Sequence, residues 1–181
     1  TKCDGIHGPA NNRFYWYVSG IVGKENFLGN NADFAVSVAY MVDDKLMAAY
    51  IYQPVLQKTY SAVKNEGATL DDIRIRLSKH SNKLTDALII TSDKSLTKEY
   101  ALMTANMQHS SLGVRVIGDS ALAICNMAEG KASAAWLTHF NPCDHFAAVL
   151  IALESGALAA DLKGNEVDLS SENVAFAPPK L

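Results

Sequence analysis

The rhythm of apolar and polar positions changes once along the chain. Residues 1–10 (TKCDGIHGPA) read as turns without a period. From Phe14 the pattern is that of strands, beginning with the aromatic, β-rich run 14–18 (FYWYV). The runs 34–42 and 45–53 flank the polar pair Asp43-Asp44 and predict a β-hairpin. A strand at 58–63 follows, then the turn Asn65-Glu66-Gly67, then a strand over 73–78. Its IRIRL core alternates strictly, which predicts buried apolar positions and a wet arginine face. Residues 14–78 thus predict an antiparallel sheet.

A polar boundary lies at 78–83 (SKHSNK), and beyond it strands alternate with helices. A short apolar strand is expected at 87–92. The spacing of Leu96, Tyr100, Met103 and Met107 predicts a helix over 95–109 with both methionines in the core. A strand at 114–118 precedes a helix over 119–130, capped by Asp119 or Ser120 and stopped by Gly130. After a strand at 133–137, a second helix covers 144–156, with Asp144 as N-cap and Gly156 as stop. Strands at 158–162 and 173–177 end the chain. No internal repeat is present. The fold class predicted is α/β: an antiparallel-sheet half (1–79) and an α/β half (80–181) packed as one unit.

The 181 residues are 49% apolar and 19% charged, enough for one domain with a real core and incompatible with disorder. The net charge of −3 and the lack of a basic stripe argue against nucleic acid and anionic membranes as partners. There is no run of the ~18 apolar residues that a membrane span needs, and no signal-peptide pattern. Cys3, Cys125 and Cys143 lack metal-type spacing and fit a reducing cytoplasm, the expected location.

Two stretches resemble the inositol monophosphatase family of magnesium-dependent, lithium-sensitive sugar phosphatases. Residues 16–27 (WYVSGIVGKENF) align without a gap to the family signature W-x-x-D-P-x-D-G-T-x-N-F, matching at Trp16, Ile21, Gly23, Asn26 and Phe27. The similarity continues through Tyr52, Pro54, Tyr60, Ala62, Gly67 and Ala68. The second stretch carries Gly118, Ala121, Gly130, Pro142, Asp144, Ala147, Glu154 and Gly156 where the family has its G-[ST]-A-A helix, its P-W-D-x-A-A-G helix and a following E-x-G-G. The resemblance covers about residues 14–178. It implies the family's layered sugar-phosphatase fold, in a member that is short at its N-terminus and lacks the usual leading helices.

The resemblance also implies where catalytic metals would sit, and there the sequence departs. The two metal-binding aspartates of the first signature are Ser19 and Val22 here, the threonine that positions water is Lys24, and the proline is Gly20. The family's upstream glutamate pair has no counterpart in residues 1–13, where Asp4 is the only acid. Asp144 alone is retained; the tryptophan before it is Cys143, and a sugar-contacting acid seven residues earlier is Leu137. Mg²⁺ requires near-octahedral oxygen ligation, and metal-assisted hydrolysis requires the ion to make hydroxide and neutralise the phosphoryl group. One carboxylate cannot meet those needs.

Bland readings stand beside the functional ones. Asp144 reads as a plain N-cap before it reads as a ligand. His139 and His145 flank it without a recognised metal spacing, so their proximity reads as chance. Cys143 reads as a buried, inert thiol and Ser19 as no nucleophile, lacking a nearby histidine. Asp119-Ser120 serves equally as a helix cap or as the sugar-binding helix start.

The expected function is therefore a catalytically degenerate family member whose pocket, formed by Gly23, Lys24, Gly118, Asp119 and Ser120, holds a small anion or sugar phosphate without metal. Two alternatives stay open: an active phosphatase using Mg²⁺ on rebuilt ligands, and a non-enzymatic scaffold or regulatory partner. No cofactor is expected under the first reading, and a homodimer is expected from the family.

Overall fold

The computed structural model describes residues 5–7, 13–77, 83–92, 98–139, 141–161, 163–165, 167, 171, 173–179 and 181. The first half is an antiparallel meander whose seven strands lie in chain order. They are β1 (Gly5–His7), β2 (Phe14–Val22), β3 (Ala35–Val42), β4 (Lys45–Gln53), β5 (Lys58–Val63), β6 (Gly67–Leu70) and β7 (Ile73–Ile75), with the short helix α1 (Lys24–Leu28) between β2 and β3. Asp43 and Asp44 turn the β3–β4 hairpin, both at positive φ (46° and 60°), as a two-residue I′ turn requires.

The second half contains β8 (Leu88–Thr91), α2 (Lys98–Ser110), β9 (Gly113–Val116), α3 (Ser120–Ala128), β10 (Ala134–Thr138), α4 (Pro142–Ser155), β11 (Leu158–Asp161) and β12 (Asn173–Ala177). Its sheet runs β11-β12-β10-β8-β9. β8 is parallel to both β9 and β10, whereas β12 is antiparallel to β10 and β11.

Helices α3 and α4 form a layer between the two sheets. They pack on each other; α4 spans strands β2 to β6 of the first sheet, and α3 lies on β8 and β10 of the second. Every residue of α4 from His145 to Ala152 is buried, so this helix is apolar around most of its circumference, as a sandwiched helix must be. Ile51, Tyr60, Ile124, Met127, Ile151 and Phe176 are fully buried in the core that results. Tyr17 meets Phe146 edge to face, with ring centroids 5.2 Å apart and an 83° interplanar angle, locking β2 to α4.

The structure corrects several local expectations. Residues 5–7 are not a turn but an edge strand, formed by antiparallel pairing with β2. A further strand, β6, follows the turn before Gly67 and pairs with both β5 and β7. In β7 the alternation does not bury Ile73, which is 73% exposed because this strand forms the sheet's edge; Leu77 beyond it is buried. Met103 and Met107 are half-buried rather than core, since α2 covers mainly the edge strand β9. The boundary at 78–82, Leu96, Asp4 and Cys3 lie outside the described residues.

Candidate functional site

A pocket of about 330 Å³ opens where the two halves meet. The parallel strands explain its position. Ser92 directly follows β8, Gly118 and Asp119 follow β9, and Thr138 closes β10, so three carboxyl ends of parallel strands converge on one crevice. Open α/β sheets bind ligands in that place. The opposite wall is Ile21 to Glu25, from the end of β2 and the start of α1.

The first wall is shaped by a β-bulge. The β2–β3 register shifts between Ser19 and Val22, which adds one residue to the strand. Ser19 and Val22 are therefore both buried, although an unbroken strand would place them on opposite faces. Gly23 then turns the chain at φ 79° to cap α1. A Cβ there would lie 2.7 Å from the Asp33 carbonyl oxygen, so the position demands glycine both by φ and by space. Asn26 ties this wall to the opposite one: its Nδ2 donates to the carbonyl oxygens of Asp33 (2.7 Å) and Ile117 (2.9 Å).

On the second wall, the buried Asp119 caps α3 by accepting from the Leu122 amide at 2.7 Å. It lines the pocket as well, so the cap and site readings of this residue describe the same side chain. The Ser92 and Ser120 hydroxyls hydrogen-bond across 2.5 Å, and Thr138 adds a third hydroxyl.

The start of α4 overturns the cap expected at Asp144. The helix begins at Pro142, whose fixed φ suits a first turn, and Asn141 is the N-cap, accepting from the Cys143 amide at 3.2 Å. The Asn141 amide N–H in turn donates to His145 Nδ1 at 2.8 Å, an acceptor reaching back to the cap as in a capping box. His145 is thus a structural part of the helix start rather than a chance neighbour. Burial pushes its pKa down to about 4, which keeps the ring neutral. His139, exposed and at φ 58°, lines the pocket from the end of β10. Cys143 is disulfide-bonded and so is not the inert thiol expected from the sequence.

With the cap role taken by Asn141, both carboxylate oxygens of Asp144 are engaged by neutral donors. Ser19 Oγ donates to Oδ1 at 2.7 Å, and Asn141 Nδ2 donates to Oδ2 at 2.8 Å. These residues do not fit magnesium. Val22 offers no oxygen, Ser19 gives its proton to the one carboxylate present, and Lys24 places a cation at the rim. Among the described residues, no group of three or more His, Cys, Asp or Glu side chains could hold a metal ion.

Gly23, Lys24, Gly118, Asp119, Ser120 and Asp144, singled out from the sequence, all line this one pocket, as does Val22. Ser19 reaches it through Asp144. Glu25, Ser92, Thr138 and Asn141 also line it and were missed. The carboxyl ends of the predicted parallel strands would have pointed to Ser92 and Thr138, and the Asn-Pro cap signal to Asn141; nothing in the sequence marked Glu25.

Comparison with known proteins agrees with this architecture. Residues 5–181 match the model of the inositol monophosphatase family. A candidate Nus factor, SuhB of Neisseria meningitidis serogroup A, is 30% identical over 98% of this chain and 69% of its own. Human inositol monophosphatase 2 is 30% identical over 98% of this chain and 62% of its own. The crystal structure of the extragenic suppressor protein SuhB from Bartonella henselae superimposes with a TM-score of 0.86 at 26% identity, covering 93% of this chain and 68% of the other. The chain thus spans about two thirds of the length of these relatives.

Proposed function

The chain belongs to the inositol monophosphatase family, and we propose that within it this protein binds a phosphorylated polyol without hydrolysing it by the magnesium-dependent route. The observation that carries this reading is the Ser19–Asp144 hydrogen bond, which satisfies the one retained carboxylate without a cation. Together with the Asn141 amide, the Ser19 hydroxyl gives both oxygens of that carboxylate a protein donor.

The remaining pocket suits a sugar phosphate in two parts. The Ser92, Ser120 and Thr138 hydroxyls, with Asp119 and Asn141, are donors and acceptors matched to ring hydroxyls. Lys24 is the cation available to a phosphate, as a point charge on a flexible stem. Glu25, Asp119 and Asp144 oppose it, so affinity for bare phosphate should be low and the polyol should supply most of the recognition.

Calorimetric titration in EDTA tests this with inositol monophosphate, inositol and inorganic phosphate, on the wild type and Lys24→Ala. The expected result is binding of inositol monophosphate that Lys24→Ala weakens by roughly ten- to a hundredfold, the loss of one charge-assisted contact. A phosphatase assay with and without Mg²⁺ completes the test. Magnesium-dependent turnover by the wild type, or no binding of inositol monophosphate at all, would overturn the proposal.

A further inference from the structure

His139 directly follows β10 and lines the pocket from the side of the strand ends, across from Lys24 and Glu25. Its backbone is left-handed, at φ 58°. Among the described residues, every other non-glycine position at positive φ is an Asn, Asp or Gln in a connection of the first half; His139 is the one that lines the pocket. A side chain on such backbone costs conformational energy, and positions of this kind cluster at ligand sites. The ring is steadied by Thr138, whose Oγ1 lies 3.3 Å from Nδ1. That leaves Nε2 as the ring nitrogen for a ligand.

The charge of the pocket shows what a phosphate would need. A phosphate monoester carries nearly two negative charges at neutral pH. Among the described residues that line the pocket, Lys24 is the one permanent cation, against the carboxylates of Glu25, Asp119 and Asp144. Of the other lining side chains, only the two histidines can become cationic. His145 is unsuited: it is buried, and its Nδ1 accepts from the Asn141 amide, a bond that a proton on that nitrogen would break. His139 is exposed. A protonated imidazole donates from both nitrogens, so one N–H can keep Thr138 while the other meets a phosphate oxygen.

We propose that His139 is the second phosphate-binding residue of this pocket and takes up a proton as the phosphorylated ligand binds. This rests on the reading of the pocket as a phosphorylated-polyol site. The proton comes from solvent and adds to the ring, and no bond of the ligand is made or broken. The charged groups that share the pocket with the ring are Lys24 and Glu25 from α1, Asp119 from the cap of α3 and Asp144 from α4, where the titratable His145 also lies. They are present with and without ligand. The change on binding is the negative charge of the phosphate, which favours the imidazolium. Histidine is the side chain that changes charge between about pH 5 and 8, and uptake of a proton on binding makes affinity rise as pH falls.

Calorimetric titration in EDTA, repeated in buffers of different ionisation heat between about pH 6.5 and 8.5, counts the protons taken up with inositol monophosphate. The wild type should take up protons, and its affinity should rise toward the lower pH. His139→Asn tests the residue, because Asn tolerates left-handed backbone and carries no titrating ring. This variant should bind inositol monophosphate roughly ten- to a hundredfold more weakly at the lower pH, and its proton uptake should fall below that of the wild type. Titration of the phosphate itself is common to both proteins and cancels in the comparison. Inositol, which has no phosphate, should bind both proteins alike and without proton uptake. Weaker binding of inositol by His139→Asn would mark a merely structural role and overturn the inference. Equal affinity or equal proton uptake with inositol monophosphate in the two proteins would overturn it while leaving the phosphorylated-polyol pocket standing. No binding of inositol monophosphate to either protein would overturn both.

Discussion

Ser19 Oγ donates to Asp144 Oδ1 across 2.7 Å and so joins two residues 125 positions apart, the end of β2 and the first turn of α4. The bond joins position 19, where the family resemblance implies an aspartate, to the one acid the resemblance retains. The hydroxyl donates and the carboxylate accepts, so one oxygen of the charged group is solvated by the protein itself. The Ser19–Asp144 pair thus forms a clip within the fold that joins β2 to α4.

The strength of that clip is measurable. Ser19→Ala leaves a half-buried carboxylate with one donor instead of two, at a cost of about 1.5–3 kcal/mol for a hydrogen bond to a charged group. In a chain of this size that corresponds to a fall in Tm of about 5–10 °C. Scanning calorimetry in EDTA should show the drop. An unchanged Tm would mean that the bond contributes nothing to the fold.

Restoring the family's ligands should make stability depend on metal. In Ser19→Asp/Val22→Asp/Lys24→Thr, two carboxylates join Asp144 and one cation leaves, a formal change of −3. Val22 is 3% exposed, so the new carboxylate is buried among like charges and the triple variant should melt below the wild type in EDTA. Millimolar Mg²⁺ should recover part of the loss by binding the folded state, while leaving the wild type unmoved. A wild type stabilised by Mg²⁺ would contradict the reading of the site.

His145 should make the fold sensitive to acid. Burial holds its folded pKa at about 4, below the ordinary 6.5, so the unfolded chain takes up the proton first. Stability is full above about pH 6.5 and is lost as pH falls toward 4, by roughly 3 kcal/mol in all. His145→Asn keeps an acceptor near the Asn141 amide and removes the titration. Denaturant melts between pH 4 and 7 should show a flatter profile for this variant. An equal slope in both proteins would assign the acid sensitivity to other groups.

Much of the fold was legible in the chain because its signals are local. Alternation between β-rich runs and polar turns placed 45–53, 58–63 and 173–177 at the observed limits of β4, β5 and β12. The Asp119 cap was legible for the same reason, since the Leu122 amide that donates to it lies three residues away. At α4 the local rules competed. Asp144 is a good cap by type, but Asn141 followed by proline is better placed, and the helix starts three residues earlier than Asp144 alone suggests.

The amino-acid sequence by itself determined the α/β class, the antiparallel-then-alternating order of elements and which side chains stand at positions 19 and 22, where the family resemblance implies aspartates. Those follow from residue type and from spacing within a few turns of chain. Only the tertiary structure decided which side chains meet at the site. The bulge that turns both Ser19 and Val22 inward, the Ser19–Asp144 bond and the convergence of Lys24, Ser92, Asp119 and Thr138 on one pocket all depend on strand register and on how α4 seats against β2. Which face of the first sheet is covered depends on the same packing. Pairings between residues more than a hundred positions apart carry no periodic trace in the sequence, because they are set by the summed burial of the whole core rather than by any local pattern.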